Sequence, residues 1–392
     1  MRSIRQLFAL LLILPLLAVS AAASGEKTVL MTFTGDVTLG GQEKTRGLPD
    51  SFDSVAREEG YDYFFANFSD MFAKDDLTVI NLEGVLADKI VTKTAKKYNF
   101  RGKTAFVEIL TRSNIDAASL SNNHIGDYGK AGENSTKQTL DEHKIAWFQG
   151  FTYYLYRKDG ISIAFFALDT SIVYNKFDRF KNAIRTVKES GEAGAVVVCW
   201  HTGKEYVGFH EKWAEQKAGE MVECGTDLII INHSHVAQGM SIINNRCVFY
   251  SLGNFVFGGN SIVRIGRKSK DQLALSLYGM VVQVKFTFSD EGQYLGQQPV
   301  IHPVYSSGDY PVNNYQPKRL TMEEAAPVLE CIRRDTAFEL PPMTEKDGFA
   351  RIELSYLPAF DGVMLPEDNE QAGPQGIPEA ASPVPTRENK DK

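Results

Sequence analysis

The amino-acid sequence predicts a layered α/β domain, in which strands are covered by helices. From residue 28 to about residue 257, short apolar runs alternate with polar turns and helical stretches. This alternation is typical of layered α/β domains. Continuous apolar runs indicate strands that are buried on both faces. The spacing of the runs is irregular and the sequence shows no internal repeat, which argues against a barrel of equal units.

The individual elements follow from these runs in chain order. Seven runs predict strands: VLMTFTG (29–35), LTVINLE (77–83), IDAASLS (115–121), ISIAFFALD (161–169), AVVVCWH (195–201), LIIINHS (228–234) and VFYSLGNF (248–255). Helices are predicted between them at 104–113, 133–144, 178–190 and 210–224. Residues 273–305, with the alternating run YGMVVQVKFTFS, predict strands that either close the sheet or form an appended hairpin.

Composition and charge limit the partners of the chain. Its 392 residues are 43% hydrophobic, which allows one large domain or two ordinary ones with a sizeable core. The formal net charge of −7 argues against nucleic acid or an anionic membrane surface as the main partner. The four cysteines (Cys199, Cys224, Cys247 and Cys331) match no zinc-ribbon or CxxC spacing. A disulfide is compatible with export, but no pairing follows from the sequence.

The two ends of the chain are predicted to lie outside the folded domain. Residues 1–23 combine two arginines, an apolar run and a small-residue end, which is the pattern of a secretory signal peptide. An uncleaved N-terminal anchor is the alternative. We expect export to the periplasm or the exterior, either free or associated with the envelope. Residues 28–305 are predicted to form the main domain and residues 306–360 an extension that packs on it. Residues 361–392 have the composition of a disordered tail.

Two histidines follow the buried run that ends near residue 232. His233 and His235 are one residue apart, and on a strand such residues point to the same face. One interpretation is a pair of capping or surface histidines. The other is a pair of metal ligands, because neutral imidazole is the commonest nitrogen ligand of divalent metals in proteins.

Other predicted strands also end in side chains that bind metals. These residues are Asp36, Glu83, Asn123, His124 and His201. In open α/β sheets, ligands bind outside the carboxyl ends of the strands. Two carboxylates, an asparagine and several histidines at one edge are costly to hold together unless cations compensate their charge and desolvation. The joint pattern therefore favours the metal interpretation. The remaining histidines, His143, His210 and His302, lie outside these motifs and are expected at the surface.

The order of the motifs resembles one known family. GD, NLE, NNH-x-x-D-x-G, H-x-G-x-E-Y, HSH and YSLGNF, together with KKYNFRG at 96–102, resemble the CapA-type proteins of poly-γ-glutamate capsule synthesis (PGA_cap). These proteins belong to the calcineurin-like metallophosphoesterase superfamily. The resemblance covers roughly residues 29–258. It implies a four-layer α/β/β/α sandwich with a two-metal site, and a role in the synthesis of capsule or another extracellular polymer.

The resemblance also implies roles for individual residues. Asp36 and His235 would bind the first metal, Glu83 would bridge both metals, and Asn123, His201 and His233 would bind the second. His124 would protonate the leaving group. Two ions of Mn, Fe or Zn suit this mixed nitrogen and oxygen set, and together can clamp an in-line phosphoryl displacement.

The sequence departs from the superfamily pattern at one ligand. The usual Asp-x-His is here Asp36-Val37-Thr38, which leaves the first metal position one ligand short. The resemblance nevertheless implies metal-dependent hydrolysis of a phosphoester. The alternative is a non-catalytic component that binds an anionic polymer or organises the subunits of a membrane synthase.

Four further residues are candidates for substrate binding. Arg101 is suited to a phosphate or carboxylate, which guanidinium binds through two hydrogen bonds. Glu205 and Tyr206 follow His201 and either contact substrate or pack within their loop. Asn254 either directs its amide into the site or fixes the turn in SLGNF.

Overall fold

The computed structural model describes residues 25–89, 92–258 and 275–359. Within these ranges, most strands belong to two large sheets, and a two-stranded sheet pairs Val85–Leu86 with Arg101–Gly102. The predicted signal peptide (1–23) and the predicted disordered tail (361–392) lie outside the described residues. None of the helices in the described part is long and apolar enough to cross a membrane.

The first sheet contains the N-terminal strands and the C-terminal hairpin. Its strands are β1 (Lys27–Thr38), β2 (Leu77–Leu82), β5 (Ala117–Ser119), β6 (Ala146–Phe148), β13 (Asn254–Phe257), β14 (Tyr278–Phe288), β15 (Tyr294–Tyr305), β16 (Lys318–Arg319), β17 (Thr344–Lys346), β18 (Phe349–Glu353) and β19 (Leu357–Pro358). The pairs β1–β2, β2–β5, β5–β6 and β1–β13 are parallel. The hairpin β14–β15 joins the sheet by antiparallel pairing with β1, and β15 pairs onward with β18, so this part of the chain extends the sheet and does not close it. The short strands named above are β3 (Val85–Leu86) and β4 (Arg101–Gly102).

The second sheet comes from the middle of the chain. Its order is β11-β12-β10-β9-β8-β7, with β7 (Gly150–Lys158), β8 (Ile161–Asp169), β9 (Ala195–His201), β10 (Leu228–Asn232), β11 (Met240–Ile243) and β12 (Arg246–Phe249). The four central strands are parallel, and the two edge strands are antiparallel to their neighbours. Every residue of β9 and β10 is buried, as the apolar runs predict.

Seven α-helices lie in the described ranges. They are α1 (Phe52–Glu58), α2 (Ser69–Phe72), α3 (Val107–Arg112), α4 (Gly129–Glu142), α5 (Thr170–Glu189), α6 (Lys212–Glu223) and α7 (Met322–Arg334). Helix α5 begins eight residues earlier than the predicted 178–190, because the Asp169 side chain accepts a hydrogen bond from Ile172 N at 3.0 Å and caps its first turn. A capping box of Thr321 and Glu324 starts α7.

The two sheets share one apolar core. Phe33 and Val79 of the first sheet pack in the same buried cluster as Phe165 and Ile230 of the second, and α7 adds further residues to that cluster. Separate clusters join the opposite face of each sheet to helices, α3 and α4 on the first and α5 and α6 on the second. Each fully buried large apolar side chain contributes about 1.5–3 kcal/mol. The predicted mixed α/β class is confirmed.

Two differences from the predicted strands have local causes. The run 248–255 is not one strand: β12 ends at Phe249 in the second sheet and β13 begins at Asn254 in the first. Gly253, with φ of 73°, makes the turn between them. Residues 150–158 form β7, an edge strand that was not predicted, because its aromatic and charged residues do not give a continuous apolar run.

Candidate metal centre

The six residues predicted as metal ligands follow strands of both sheets. The first sheet supplies Asp36 near the end of β1, Glu83 directly after β2 and Asn123 after β5, and the second supplies His201 at the end of β9 and His233 and His235 after β10. The strands that carry them are parallel within each sheet. Their carboxyl ends therefore meet at one edge, where α/β sheets bind ligands. The structure brings all six side chains into one cluster.

A glycine permits the close approach that places Asp36. A Cβ added at Gly35 would lie 2.2 Å from Gly253 O, so a side chain at this position would clash with the neighbouring backbone. The Asp36 amide donates to Gly253 O at 2.9 Å, and Asp36 is the register partner of Asn254 on β13. The GD pair thus combines a close backbone contact with a carboxylate at the site.

One group of ligand atoms surrounds His201. Its Nε2 lies 2.8 Å from Asn123 Oδ1, 3.0 Å from His233 Nδ1 and 3.6 Å from Glu83 Oε1. Ligands bound to one ion at about 2.0–2.2 Å are separated from each other by about 3.0–3.5 Å. The distances from His201 Nε2 to the other three atoms are close to this spacing, as is expected if all four were ligands of one divalent ion.

A second group shares Glu83 with the first. His235 Nδ1 lies 3.3 Å from Asp36 Oδ2, and His235 Nε2 lies 3.9 Å from Glu83 Oε1. The ligand atoms of Asp36, Glu83 and His235 all lie within 4.8 Å of one another, as do those of Glu83, His201 and His233. A carboxylate common to both groups is the arrangement expected of a residue that bridges two ions.

Glu83 provides the test of whether a cation fits. Its side chain is fully buried, and neither carboxylate oxygen has a hydrogen-bond partner among the described residues. Burial, and next the negative charge of Asp36, raises the pKa of Glu83 well above its usual range. A buried carboxylate without partners is strongly unfavourable. Divalent cations on either side of Glu83 would remove this cost, so the residues present fit the metal ions that the resemblance implies.

The histidines differ in protonation. Burial, and next the positive charge of neighbouring histidines, lowers the pKa of His201 well below its usual value and that of His233 to about 4. Burial also acts to lower the pKa of His235, but the charge of Glu83 and the hydrogen bond to Asp36 outweigh it and raise the pKa to about 10. His201 and His233 are thus neutral, the form in which imidazole binds metals, whereas His235 would release its proton on binding a metal ion.

Strained backbone carries the last two histidines. His233 has φ of 111° and His235 has φ of 57°, conformations that cost residues other than glycine of order 1–3 kcal/mol. The strained segment bends at once after β10, and its His233 amide donates to Asp36 Oδ2 at 3.3 Å. On the open side of the cluster, Asn123 is exposed and His233 is partly exposed, so the site is accessible to solvent.

Two asparagines in the motifs were given no role from the sequence. Asn81 Nδ2 donates to Asp36 Oδ1 at 2.7 Å and lies 3.2 Å from His201 Nδ1. Asn122 donates to Leu82 O at 2.8 Å, and its Oδ1 accepts from the His124 amide at 3.0 Å. These amides orient the ligands across strand ends. Their place inside the NLE and NNH motifs is the feature of the sequence that could have indicated this role.

His124 lies beside the two groups of ligands and belongs to neither. Its Nδ1 is 2.7 Å from Asp127 Oδ2, and its Nε2 is 3.7 Å from Glu83 Oε1. Asp127 is held in turn by the Phe100 amide at 2.7 Å and by Lys96 Nζ at 3.1 Å. The Phe100 ring lies 4.3 Å from the His124 ring. The imidazole is therefore fixed by a carboxylate on one nitrogen, with the other directed toward the cluster.

The four candidate substrate residues have different surroundings. Arg101 is buried, and its Nη1 donates to the carbonyl oxygens of Ala87 and Asp88 at 3.0 and 3.1 Å. Glu205 is exposed, and the Tyr206 ring centroid lies 5.7 Å from that of His235. Asn254 Oδ1 lies 3.0 Å from His235 Nδ1. A role in substrate binding remains a prediction for each of them.

Thr38 does not replace the absent histidine ligand. Its Oγ1 accepts a hydrogen bond from the Gly258 amide, so the hydroxyl is occupied in joining β1 to the segment after β13. The group of Asp36, Glu83 and His235 accordingly has three members, whereas the group of Glu83, His201 and His233 gains a fourth in Asn123.

Comparisons with known proteins agree with the order of the motifs. The sequence profile described as bacterial capsule synthesis protein PGA_cap matches residues 30–259. The chain is 27% identical over 252 residues to "Capsule biosynthesis protein CapA" of Bacillus anthracis, covering 58% of this chain and 59% of that protein. It is 28% identical over 253 residues to "PGA biosynthesis protein CapA" of Bacillus subtilis (strain 168), covering 58% of this chain and 62% of that protein. The match thus spans less than two thirds of either relative.

Among solved structures, a hypothetical protein from Thermus thermophilus aligns with a TM-score of 0.41 and 12% identity, over 70% of this chain and 99% of that chain. The family profile, in contrast, covers more than half of the 392 residues and includes every residue of the candidate site. The chain belongs to the bacterial capsule synthesis protein family PGA_cap.

Proposed function

We propose that this protein is an exported, metal-dependent phosphoester hydrolase that acts in the synthesis of a capsule or another extracellular polymer. The observation that carries the proposal is Glu83, a fully buried carboxylate without a hydrogen-bond partner among the described residues, shared by two groups of ligand atoms. The names of the two relatives support the role in capsule synthesis. The ligands are typical of Mn, Fe or Zn.

The protein's own residues would hold and orient the reacting groups. Glu83 would contact both ions, and Asn123, His201 and His233 would hold one while Asp36 and His235 hold the other. When bound, two such ions supply Lewis-acid polarisation of the phosphoryl group and activation of a water. His124 Nε2 would carry the proton for the leaving oxygen, and Asp127 would keep His124 Nδ1 protonated and the ring oriented.

The remaining parts of the proposal concern the substrate, the partners and the location of the protein. The substrate would be a phosphoester or an anionic polymer, and subunits of a membrane synthase are the proposed protein partners. Nucleic acid is not expected as a partner, given the net charge of −7. The pattern of residues 1–23 supports export to the periplasm or the exterior, free or associated with the envelope.

A second candidate function is binding of an anionic polymer without catalysis. The observation in its favour is Thr38, whose hydroxyl bonds Gly258 and which leaves the Asp36 group with three members. Fewer ligands hold an ion more weakly, and a single ion on the His201 side could still bind a phosphate or carboxylate.

Metal content and hydrolysis measured on the same protein separate the two functions. The full chain would be loaded with Mn²⁺ or Zn²⁺, its metal measured by elemental analysis, and its hydrolysis of bis-p-nitrophenyl phosphate followed. We expect two ions per chain and turnover that Glu83→Ala abolishes together with bound metal. His143→Ala, at an exposed position, is the matched control and should change neither. Metal binding without turnover would favour the polymer-binding function, and absence of bound metal would contradict both.

A further inference from the structure

The C-terminal end of helix α7 contacts two loops that carry residues of the candidate site. The 202–211 loop follows His201 and carries Tyr206. The 233–239 loop follows β10 and carries His233 and His235. Helix α7 lies beyond residues 30–259, the part of the chain that the family profile matches. A contact between α7 and these loops therefore joins the C-terminal extension to the site.

Asp335, the residue after the last turn of α7, makes this contact through its carboxylate. Its Oδ1 accepts from the His210 amide at 3.1 Å and lies 2.9 Å from His210 Nδ1. Its Oδ2 accepts from the Gly239 amide at 2.8 Å. Asp335 is 8% exposed, so water contributes little to its solvation. A single buried carboxylate thus bonds a residue at the C-terminal end of each loop, His210 in one and Gly239 in the other.

Neighbouring contacts hold the same three segments together. The Met240 amide donates to Thr336 Oγ1 at 3.2 Å, and Gln238 Nε2 donates to Val207 O at 2.7 Å. A Cβ added at Gly239 would lie 2.2 Å from Asp335 O, so the chain needs glycine there for this approach. The Tyr206 amide donates to Ser234 O at 2.7 Å and ties the loops to each other beside the ligands.

Two effects make the position of the Asp335 carboxylate energetically unfavourable. A negative charge at the C-terminal end of a helix is repelled by the partial negative charge of the terminal carbonyl groups. A buried carboxylate also loses its hydration. The donors that offset both costs come from the two site loops and not from α7 itself.

We propose that Asp335 is a positioning residue, which fixes the 202–211 and 233–239 loops to the end of α7 and so sets the positions of Tyr206, His233 and His235. The C-terminal extension would then be part of the functional unit. The contact itself does not depend on the proposed hydrolase activity. Only the metal-affinity measurement below rests on that proposed function.

Hydrogen exchange measured by mass spectrometry on the metal-free full chain tests the contact directly. In Asp335→Asn, we expect amides in both loops to exchange about five- to tenfold faster, the factor that corresponds to the loss of one hydrogen bond. Exchange in strand β8, which three strands separate from β11 in the second sheet, should stay as in the wild type. Unchanged exchange in the two loops would overturn the proposal.

Asp227→Asn is the matched control. Asp227 is 1% exposed, accepts from the Val196 amide at 2.9 Å and pairs with Lys188 and Arg246, each at 2.9 Å. It precedes β10, at the opposite end of the second sheet from the site. This variant should destabilise the protein without faster exchange confined to the two loops. Equal acceleration in both variants would reduce Asp335 to a general stabilising residue and overturn the proposal.

Mn²⁺ affinity, measured by calorimetry, tests the consequence for the site. We expect Asp335→Asn to weaken binding by about tenfold, as for residues that orient ligands from outside, while Asp227→Asn leaves affinity unchanged. Unchanged affinity in Asp335→Asn would contradict the claim that this residue positions the ligands. If the wild type binds no Mn²⁺, the proposed function fails, and the exchange measurement alone decides the role of Asp335. Thr336→Val replaces Asp335→Asn if that variant does not fold. It removes the bond from the Met240 amide and the bond that Thr336 Oγ1 donates to Ile332 O, and faster exchange near Met240 is expected.

Discussion

His201 Nε2 and His233 Nδ1 lie 3.0 Å apart, although the two histidines follow different strands of the second sheet. Burial lowers the pKa of both side chains, so both are neutral near pH 7. At this separation two neutral imidazoles either share a hydrogen bond or are two ligands of one ion. The approach of Glu83 Oε1 to within 3.6 Å of His201 Nε2 favours the ion.

The first prediction distinguishes a ligand from a proton donor. His233→Ala should lose bound metal, because its Nδ1 belongs to the group around His201. His124→Ala should keep its metal but lose about 10²–10⁴ in the rate of hydrolysis. That loss should shrink on p-nitrophenyl esters, whose leaving group hardly needs a proton. Metal analysis and rates on two leaving groups provide the measurement. Equal loss of metal in both variants would make His124 a ligand.

The second prediction concerns the sign of a stability change at Glu83. In chelator, Glu83→Gln should be more stable than the wild type by about 1–3 kcal/mol, because a buried ionisable group without a hydrogen-bond partner among the described residues is replaced by a neutral one. With Mn²⁺ at about a hundred times its Kd, the free energy of unfolding of the wild type should rise by about 2.7 kcal/mol, whereas that of the variant should not. Urea unfolding with and without metal measures both differences. A variant that is less stable in both conditions would show that Glu83 is paired in the metal-free protein.

The third prediction follows from the His210–Asp335 pair. Burial acts to lower the pKa of His210, but the hydrogen bond and charge of Asp335, with Glu215 3.8 Å from Nε2, outweigh it and raise the pKa. Folding therefore favours the protonated ring. This stabilisation is fully present below the unfolded pKa of about 6.5 and is lost as the pH rises through the higher folded pKa.

The stability difference between wild type and His210→Gln should accordingly be larger at about pH 5.5 than at about pH 9. Thermal unfolding of the metal-free protein at several pH values measures it. His143→Gln, at an exposed position, should follow the wild-type profile in parallel. A difference that grows with pH would mean that His210 is held in its neutral form.

The fourth prediction concerns export. If residues 1–23 are a cleaved signal peptide, intact-mass measurement of protein isolated from the cell envelope or medium should show a chain that begins close to residue 24. Substitution of Ala21 and Ala23 by larger residues should cause the uncleaved chain to accumulate. Full-length wild-type protein in the membrane fraction would instead support the N-terminal anchor.

Two of the three histidines outside the motifs are more buried than the sequence predicts. All three were expected at the surface, and only His143 is exposed. His210 is partly buried against Asp335, and His302 is partly buried beside Gln283, with burial lowering its pKa to about 4. A single histidine has no pattern of its own, so its burial depends on which distant segment covers it.

The sequence by itself determined the α/β class and the positions of the candidate ligands along the chain. Apolar runs such as 195–201 report burial on both faces, because an exposed strand of that composition would be unstable in water. The polar motifs directly follow these runs, so their side chains lie at strand ends. At that point the chain emerges from the core, and a polar side chain does not disrupt the packing of the sheet. These properties depend only on neighbouring residues.

Tertiary structure alone decided which strand ends meet. The first sheet brings Glu83 and the second brings His201 and His235, and their approach depends on how the two sheets pack across the shared core. Tertiary structure also decided how residues 248–255 are divided between the two sheets. The contact of Asp335 with His210 likewise depends on it. Local periodicity carries no information on such pairings, because they are set by the free energy of packing segments that are distant in the chain.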